Sequence, residues 1–435
     1  MSSEAGNASG VGAGNEMLRE LAGLPGGREL LTLGAERPDI ALVGGAVRDL
    51  LLGRTPRELD LVVEADAAGV ALELVALVGE LSSARASSLA HERFGTALVE
   101  WETGRIDVAE RRAESYERPG ALPQVRPGTS AEDLARRDFT VNAIAVALGG
   151  EHIGELSYAE HALEDLQARQ LRVLHEDSFL EDPTRLLRMA RYKARLGFVV
   201  EPGTAALAEQ ALAAGALETV SRARIGAELR LALVEADAVS ALVAMGQLGL
   251  LEALEKRLAL DEELTRRALT LLPEDGRPDL LMMASLLLPL SIDPHEDPEP
   301  VMFELLDGLE FTAGERERIM RTALVAPGLF DDLALATRPS EIHEALCAHT
   351  LEASALGGAM GEGIHDVAAE AKLWFDQLRH VRLQITGQDL IDAGVPSGPQ
   401  VGYRLSYALA CKLDDELGEG PDAELAAALE EGGEL

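Results

Sequence analysis

Two carboxylates two positions apart, Glu58 and Asp60, open the short apolar run Leu59–Val63. Side chains at i and i+2 leave a strand on one face, so this spacing pairs oxygen donors of the kind a hard divalent cation takes. Just upstream, Ile40 to Val43 reads as an apolar strand, Gly44-Gly45 as a tight turn, and a helix opens at Ala46 carrying Arg48 and Asp49. Glycines let a backbone approach an anion, N–H groups at a helix start point at it, and Arg48 adds a fixed cation. The stretch Asp39 to Asp66 is thus a metal clamp in front of a phosphate cradle.

Three later groups carry the same kind of chemistry. Asp107 lies in Arg105-Ile106-Asp107-Val108, the second strand of a hairpin with Leu98–Trp101. It reads either as an exposed hairpin acid or as a third carboxylate facing Glu58 and Asp60. Arg136-Arg137-Asp138 runs into the apolar segment Phe139–Ala145, joining two cations to an element suited to meet a sugar or triphosphate. In Glu181-Asp182-Pro183-Thr184-Arg185-Leu186-Leu187-Arg188-Met189-Ala190-Arg191, Asp182 fits an N-cap with Pro183 first in the helix. Arg185, Arg188 and Arg191 then share one broad face. Read alone, this is an amphipathic helix with a basic solvent face.

The elements that must position these groups follow from the pattern. An amphipathic helix is expected over residues 16 to 35 and a second over Ala67–Leu81, where Val70, Leu72, Leu74, Val75 and Val78 have helical spacing. Between Glu110 and Glu132, Pro119, Gly120, Pro123, Pro127 and Gly128 predict a long loop without regular structure. Beyond about residue 235 the pattern is helix after helix, broken near Pro294 to Pro300 and at Arg338-Pro339-Ser340.

GGAVRDLLLGR (residues 44–54) followed by a carboxylate pair and LVVE, then RRDFTVNAIA, then EDPTRLLRMAR, resembles class II tRNA nucleotidyltransferases and bacterial poly(A) polymerases, of the polymerase-beta-like superfamily. Ser221-Arg222-Ala223-Arg224-Ile225 and residues 385–402 resemble further motifs of that family, with Ala223 where a glutamate is usual. The family's carboxylate pair is normally Asp-x-Asp; here the first member is Glu58, which keeps the charge and reaches one methylene farther. The resemblance implies an α+β protein: a small nucleotidyltransferase head with a mixed sheet of about five strands, then an all-helical neck, body and tail. The implied boundaries are a flexible tail at 1–15, head 16–150, neck 151–235, body 236–380 and tail 381–435.

It also implies template-independent addition of nucleotides to RNA 3′ ends, most simply CCA or its terminal part on tRNA. Glu58 and Asp60 would hold Mg2+, with Asp107 as a possible third ligand. Gly44, Gly45 and Arg48 would cradle the β- and γ-phosphates, Arg136 or Arg137 would approach sugar and triphosphate, and Asp182 and Arg185 would read the base. Arg188 and Arg191 would support the base readers or the phosphates. ATP and CTP are the implied substrates. Poly(A) synthesis on general RNA and a silent nucleotide- or RNA-binding relative are the alternatives, and nucleotidylation of a small molecule or protein would leave the long helical part without a use.

Composition bounds these readings. With 435 residues the chain is too long for one core, and 75 acidic against 39 basic residues give a formal net charge of −36. Such a field repels nucleic acid, so contact with RNA must come from local basic spots such as Arg222, Arg224, Arg230, Arg316, Arg318 and Arg321. The acidic C-terminal stretch argues against an extended grip on general RNA. Two cysteines, Cys347 and Cys411, have neither disulfide-framework nor metal spacing. The pair His365-Asp366 lacks companion ligands for a hydrolase metal site. No apolar run is long enough to cross a membrane and the N-terminus is no signal peptide, so a cytoplasmic protein is expected.

Overall fold

A computed structural model describes residues 14–91, 95–293, 295, 297–361 and 367–430. The expected tail at 1–15 falls almost wholly outside them, as do Glu92–Phe94 and His365-Asp366. Two units divide the chain, Met1–Ser221 and Arg222–Leu435.

The first unit begins with helices α1 (14–21) and α2 (Gly27–Glu36), crosses β1 (Ala41–Val43), turns into α3 (Gly45–Leu51) and returns along β2 (Leu59–Val63). Pro25 and Gly26 split the helix expected over 16–35 into two. Helix α4 (Ala67–Leu81), capped by the Asp66 side chain on the Gly69 N–H, leads to β3 (Ser87–His91), β4 (Thr96–Trp101) and β5 (Gly104–Glu110). Then come the hairpin β6 (Arg112–Ser115) and β7 (Gln124–Pro127), α5 (Ser130–Ala135), β8 (Ile144–Ala147), β9 (Leu156–Tyr158) and α6 (Ala162–Ala168). After β10 (Gln170–Leu171) follow α7 (Ser178–Glu181), α8 (Thr184–Leu196), β11 (Val199–Val200) and α9 (Pro202–Ala213).

Seven strands form one mixed sheet in the order β3-β4-β5-β2-β1-β8-β9, in which only β2 and β5 run parallel. This exceeds the expected five because β3 and β9 are short edge strands with mostly exposed residues, which carry no hydrophobic alternation to be read. Leu59, Leu61 and Val63 are buried on one face of the central β2. On the other face, Val62 joins Ala41, Val43, Leu134, Ala143 and Ala145 in an apolar cluster. Asp60, two residues before Val62, therefore stands on that cluster's face, where the apolar cover ends.

The loop expected between Glu110 and Glu132 is corrected by two elements. β6 and β7 pair antiparallel from Arg112↔Pro127 to Ser115↔Gln124, and Thr129 and Glu132 make a capping box for α5. The backbone breakers spare both: Pro119, Gly120 and Pro123 fall in the connection, and Pro127 ends a two-stranded ribbon whose outer edge needs no N–H.

The described part of the second unit is helical. Its longest helix, Ala313–Leu335, packs against Leu351–Ala359 and Pro278–Ser291. A Cβ on Gly358 would sit 2.3 Å from the Ala371 Cβ, so only glycine permits that close approach. Glu352, fully buried, accepts two bonds from Arg318 at 2.7 and 2.9 Å and one from the Arg277 N–H at 2.7 Å. Arg230 bonds the Leu309 carbonyl at 2.6 Å and Arg316 the Phe311 carbonyl at 2.6 Å. Arginines proposed as basic spots thus also build the interior of this unit. Pro298 and Pro339 start helices rather than interrupt them. Among the described residues no helix is long and apolar enough to cross a membrane.

Candidate active site

β1 ends at a sharp turn. Gly44 has φ +72° and ψ −130°, a conformation side-chain-bearing residues avoid, and its N–H bonds the Ile144 carbonyl at 2.9 Å. A Cβ there would lie 2.8 Å from Arg137 Nη1 and 3.9 Å from Asp60 Oδ2. The glycine turn, the Arg137 guanidinium and the Asp60 carboxylate therefore meet at one point, although 93 positions separate Gly44 from Arg137 (137 − 44).

Asp60 is the first polar residue on β2, and its register partner on the parallel strand β5 is Asp107. Register partners project from the same face, so Asp107 stands beside Asp60. Glu58 lies one residue before β2 and is exposed, whereas Asp60 is half-buried. Burial first, then the neighbouring Glu58, pushes the Asp60 carboxyl up to about 6; Asp107 adds to the rise while Arg137 and Arg105 oppose it. An acid raised by gathered acids is the environment a cation would relieve, so the donor chemistry of Glu58, Asp60 and Asp107 fits a divalent metal. Among the described residues no three such side chains are arranged to grip one ion. Both oxygens of Asp107 accept from Arg105, at 2.8 and 3.0 Å.

Arg48, expected beside the phosphate, has only 1% of its side chain exposed. Its guanidinium bonds Asp49 at 2.9 Å and the Asn142 Oδ1 at 2.5 Å and lies 5.6 Å from the Tyr192 ring centroid. It holds the turn from behind rather than facing the cleft. Arg136 and Arg137 both bind Asp133, at 2.7 and 3.0 Å, and Arg136 also reaches Glu114 at 3.2 Å. Burial raises Asp133, yet the two arginines outweigh it and hold its carboxyl below the usual range. The buried Arg137 Nε has no partner among protein atoms, which leaves this cation the better placed of the two for an anion.

The arginines of α8 do not form a solvent face. Arg185 and Arg191 are 4% and 7% exposed. Arg185 bonds the Ser178 hydroxyl at 2.6 Å and the Arg136 carbonyl at 2.8 Å. Arg188 grips Asp138 at 2.9 and 2.6 Å, and Arg188 and Arg191 flank the Tyr192 ring at 5.7 and 5.2 Å. Asp182 caps from one position farther back than expected, with Pro183 between it and the helix; its Oδ1 accepts from the Thr184 N–H and hydroxyl at 3.2 and 2.6 Å. The half-buried Tyr116 hydroxyl donates to Glu114 at 3.1 Å, and burial together with Glu114 pushes it up to about 12, against Arg185.

Asn142 is the residue sequence reasoning missed. Its Nδ2 donates to Asp138 at 2.9 Å while its Oδ1 accepts from Arg48, linking the glycine turn to α8 through one amide. Its signal was present only as the polar member of the Phe139–Ala145 run. Asp133 was more legible, three and four positions before Arg136 and Arg137.

Residues 40–172 match the family model of the poly A polymerase head domain. An A-adding tRNA nucleotidyltransferase of Geobacter sulfurreducens is 33% identical over 391 residues, 86% of this chain and 43% of that protein. A CC-adding tRNA nucleotidyltransferase of Deinococcus radiodurans is 41% identical over 198 residues, 45% of this chain and 50% of that protein. The chain thus spans half or less of the length of these relatives. The Thermotoga maritima CCA-adding enzyme complexed with tRNA superposes with a TM-score of 0.72 at 25% identity, covering 93% of this chain and 95% of that one. Nucleotidyltransferases of this kind are generally metal-dependent. With a mixed-sheet head and a mostly helical remainder, the chain is similar to class II tRNA nucleotidyltransferases and bacterial poly(A) polymerases, and its residues 40–172 match the head domain of that family.

Proposed function

We propose that the chain adds nucleotides, without a template, to the 3′ end of tRNA, taking ATP and CTP as substrates in the same site. The observation that carries this is the meeting of Gly44, Arg137 and Asp60, with Asp107 in register beside Asp60. A relative aligned over most of this chain is A-adding, which favours addition of the terminal A. Complete CCA synthesis is the second reading, favoured by the likeness to a CCA-adding enzyme over nearly the whole chain. The cytoplasm, where tRNA ends are processed, is the proposed location.

Glu58, Asp60 and Asp107 would hold Mg2+. When bound, the metal supplies Lewis acidity for attack of a 3′-hydroxyl on the α-phosphate and screens the leaving pyrophosphate. Gly44 and Gly45 leave room for the triphosphate to approach the backbone, and Arg137 faces it with a fixed positive charge. Arg48 acts as a positioning residue for that turn. Asp182 and Arg185 present an acceptor and a donor group for a base edge, with Arg136 holding Arg185 through its carbonyl. Arg188 and Arg191 brace α8. Residues 151–235, 236–380 and 381–435, which follow the head 16–150 in the chain, would serve as neck, body and tail and recognise the tRNA by shape, although β9 (Leu156–Tyr158) still belongs to the head's sheet.

The test is incubation with Mg2+ and tRNAs ending before the first C, after CC, or complete, with each labelled triphosphate offered separately. A single A added only to the tRNA ending in CC supports the terminal-A reading; C, C and A in order supports complete synthesis. A long A ladder would overturn both in favour of poly(A) synthesis, and no incorporation would leave a silent relative. Asp60→Ala should lower incorporation by at least about 1,000-fold, the scale of losing an electrostatic group at the reacting centre.

A further inference from the structure

The acid that completes the proposed clamp is already occupied. Arg105 and Asp107 lie two apart on β5, hence on the same face. The Arg105 fork covers the whole carboxylate, Nε to Oδ2 at 2.8 Å and Nη2 to Oδ1 at 3.0 Å. A divalent cation, or water in its first shell, needs one of those same oxygens. Arg105 and the cation therefore compete for Asp107. The register partner of Arg105 on β4 is Glu100, whose carboxylate stands 4.0 Å from Arg105 Nη1. Both arginine and glutamate are about half-exposed, at 49% and 55% of their side chains, so the guanidinium has a second carboxylate within reach and room to turn to it.

We infer that Arg105 is a displaceable stand-in for the cation at Asp107, held there by the bidentate pair and released toward Glu100 when a divalent ion enters. The inference rests on Glu58, Asp60 and Asp107 being the cation-holding acids. It makes Arg105 a positioning residue. Without it, three carboxylates would face one another with no counter-charge on Asp107. With it, Asp107 is kept in line, and entry of the ion exchanges one counter-charge for another rather than assembling the site anew. Because exposed ion pairs are weak, the guanidinium yields to a doubly charged ion at modest cost to affinity. A buried pair such as Arg318–Glu352, with its acid fully enclosed, could not do this.

Mn2+ affinity, read from the free-ion signal in electron paramagnetic resonance on the full chain, tests this. The strongly acidic surface will bind Mn2+ loosely elsewhere, so the site's share is what Asp60→Ala removes. Arg105→Ala should tighten that share about threefold to fivefold, the scale of releasing one exposed ion pair. The gain should vanish when Asp107→Asn is added, and Glu100→Ala alone should weaken binding by removing the place to which Arg105 retreats. A gain that persists without Asp107, or no gain at all, overturns the inference while wild-type binding lost in Asp60→Ala leaves the clamp standing. No difference between wild type and Asp60→Ala overturns the clamp and the inference together.

Discussion

Asp60 and Asp138 are aspartates of one unit, each within reach of arginines, and they stand at opposite ends of what a protein can do to a carboxyl. Asp60 is pushed up to about 6 by burial and by Glu58. Asp138, more deeply enclosed and so opposed by burial, is nevertheless drawn down to about 2 by Arg188 and by the Asn142 amide. Every oxygen of Asp138 has a donor: Oδ1 takes the Phe139 N–H and Asn142, Oδ2 takes two nitrogens of Arg188. Asp60 has acids for neighbours instead. The difference teaches where the fold pairs its charges and where it gathers like charge: on the α8 side every carboxylate oxygen has a donor, whereas the β2–β5 pair of strands brings acids together.

The comparison breaks most visibly at Asp138. Asp138→Ala strands Arg188 in the interior and leaves Asn142 without its acceptor, and removing one partner of a buried pair costs about 3–5 kcal/mol. Urea unfolding should show that loss, with Trp374→Phe as background so that Trp101, in the first unit, is the sole tryptophan signal. The pH dependence follows from the sign of the shift. A carboxyl depressed in the folded state contributes stability above its unfolded value near 4 and loses it as pH falls toward 2. The difference between wild type and variant should therefore narrow between pH 4 and 2; a difference unchanged down to pH 2 would mean that Asp138 is not ionised in the fold.

Asp60 gives the opposite sign. Its raised pKa means that ionisation at neutral pH works against folding, so Asp60→Asn should stabilise the protein, by about 2 kcal/mol after allowing for partial exposure. The gain should be full at pH 7.5, shrink as pH falls through 6, and disappear below about pH 4, where both states hold the proton. Saturating Mg2+ should remove the gain at any pH by stabilising the wild type alone. A destabilised Asp60→Asn at pH 7.5 would place Asp60 among structural acids with Asp138.

How much of this contrast was legible in the sequence depends on the kind of interaction. The strand Leu59–Val63 and the helix Ala67–Leu81 were readable to the residue, because burial on one face leaves a period that the chain itself displays. The site acids were readable by spacing along β2. Their pairing with Asp107 was open until the β2–β5 register was known, since pattern does not fix which strands are neighbours. The roles of Arg48 and Arg185 were least readable. A charged residue on a short motif looks alike whatever holds it, and only the distant partners, Asn142 for Arg48 and Ser178 with the Arg136 carbonyl for Arg185, show how each guanidinium is fixed. The hairpin β6–β7 was hidden by a composition that breaks structure locally while sparing the strands on either side.

The smallest expected effect sharpens the comparison within the carboxylate edge itself. Asp60 is fixed by β2 and by its register with Asp107, whereas Glu58 precedes the strand and is exposed. A ligand at the free end of a clamp can adjust its rotamer and backbone to a change of one methylene; a ligand in the ladder cannot. Glu58→Asp should therefore alter kcat/KM for nucleotide addition by less than about tenfold, or roughly 1.4 kcal/mol, with Mn2+ affinity moving by a similar or smaller factor. Asp60→Glu, the same methylene added at the fixed position, should cost far more, because magnesium demands near-ideal octahedral geometry at about 2.0–2.1 Å. If Glu58→Asp proves as damaging as Asp60→Glu, then Glu58 is held as rigidly as Asp60, and its longer reach is a requirement of this site rather than a tolerated variation.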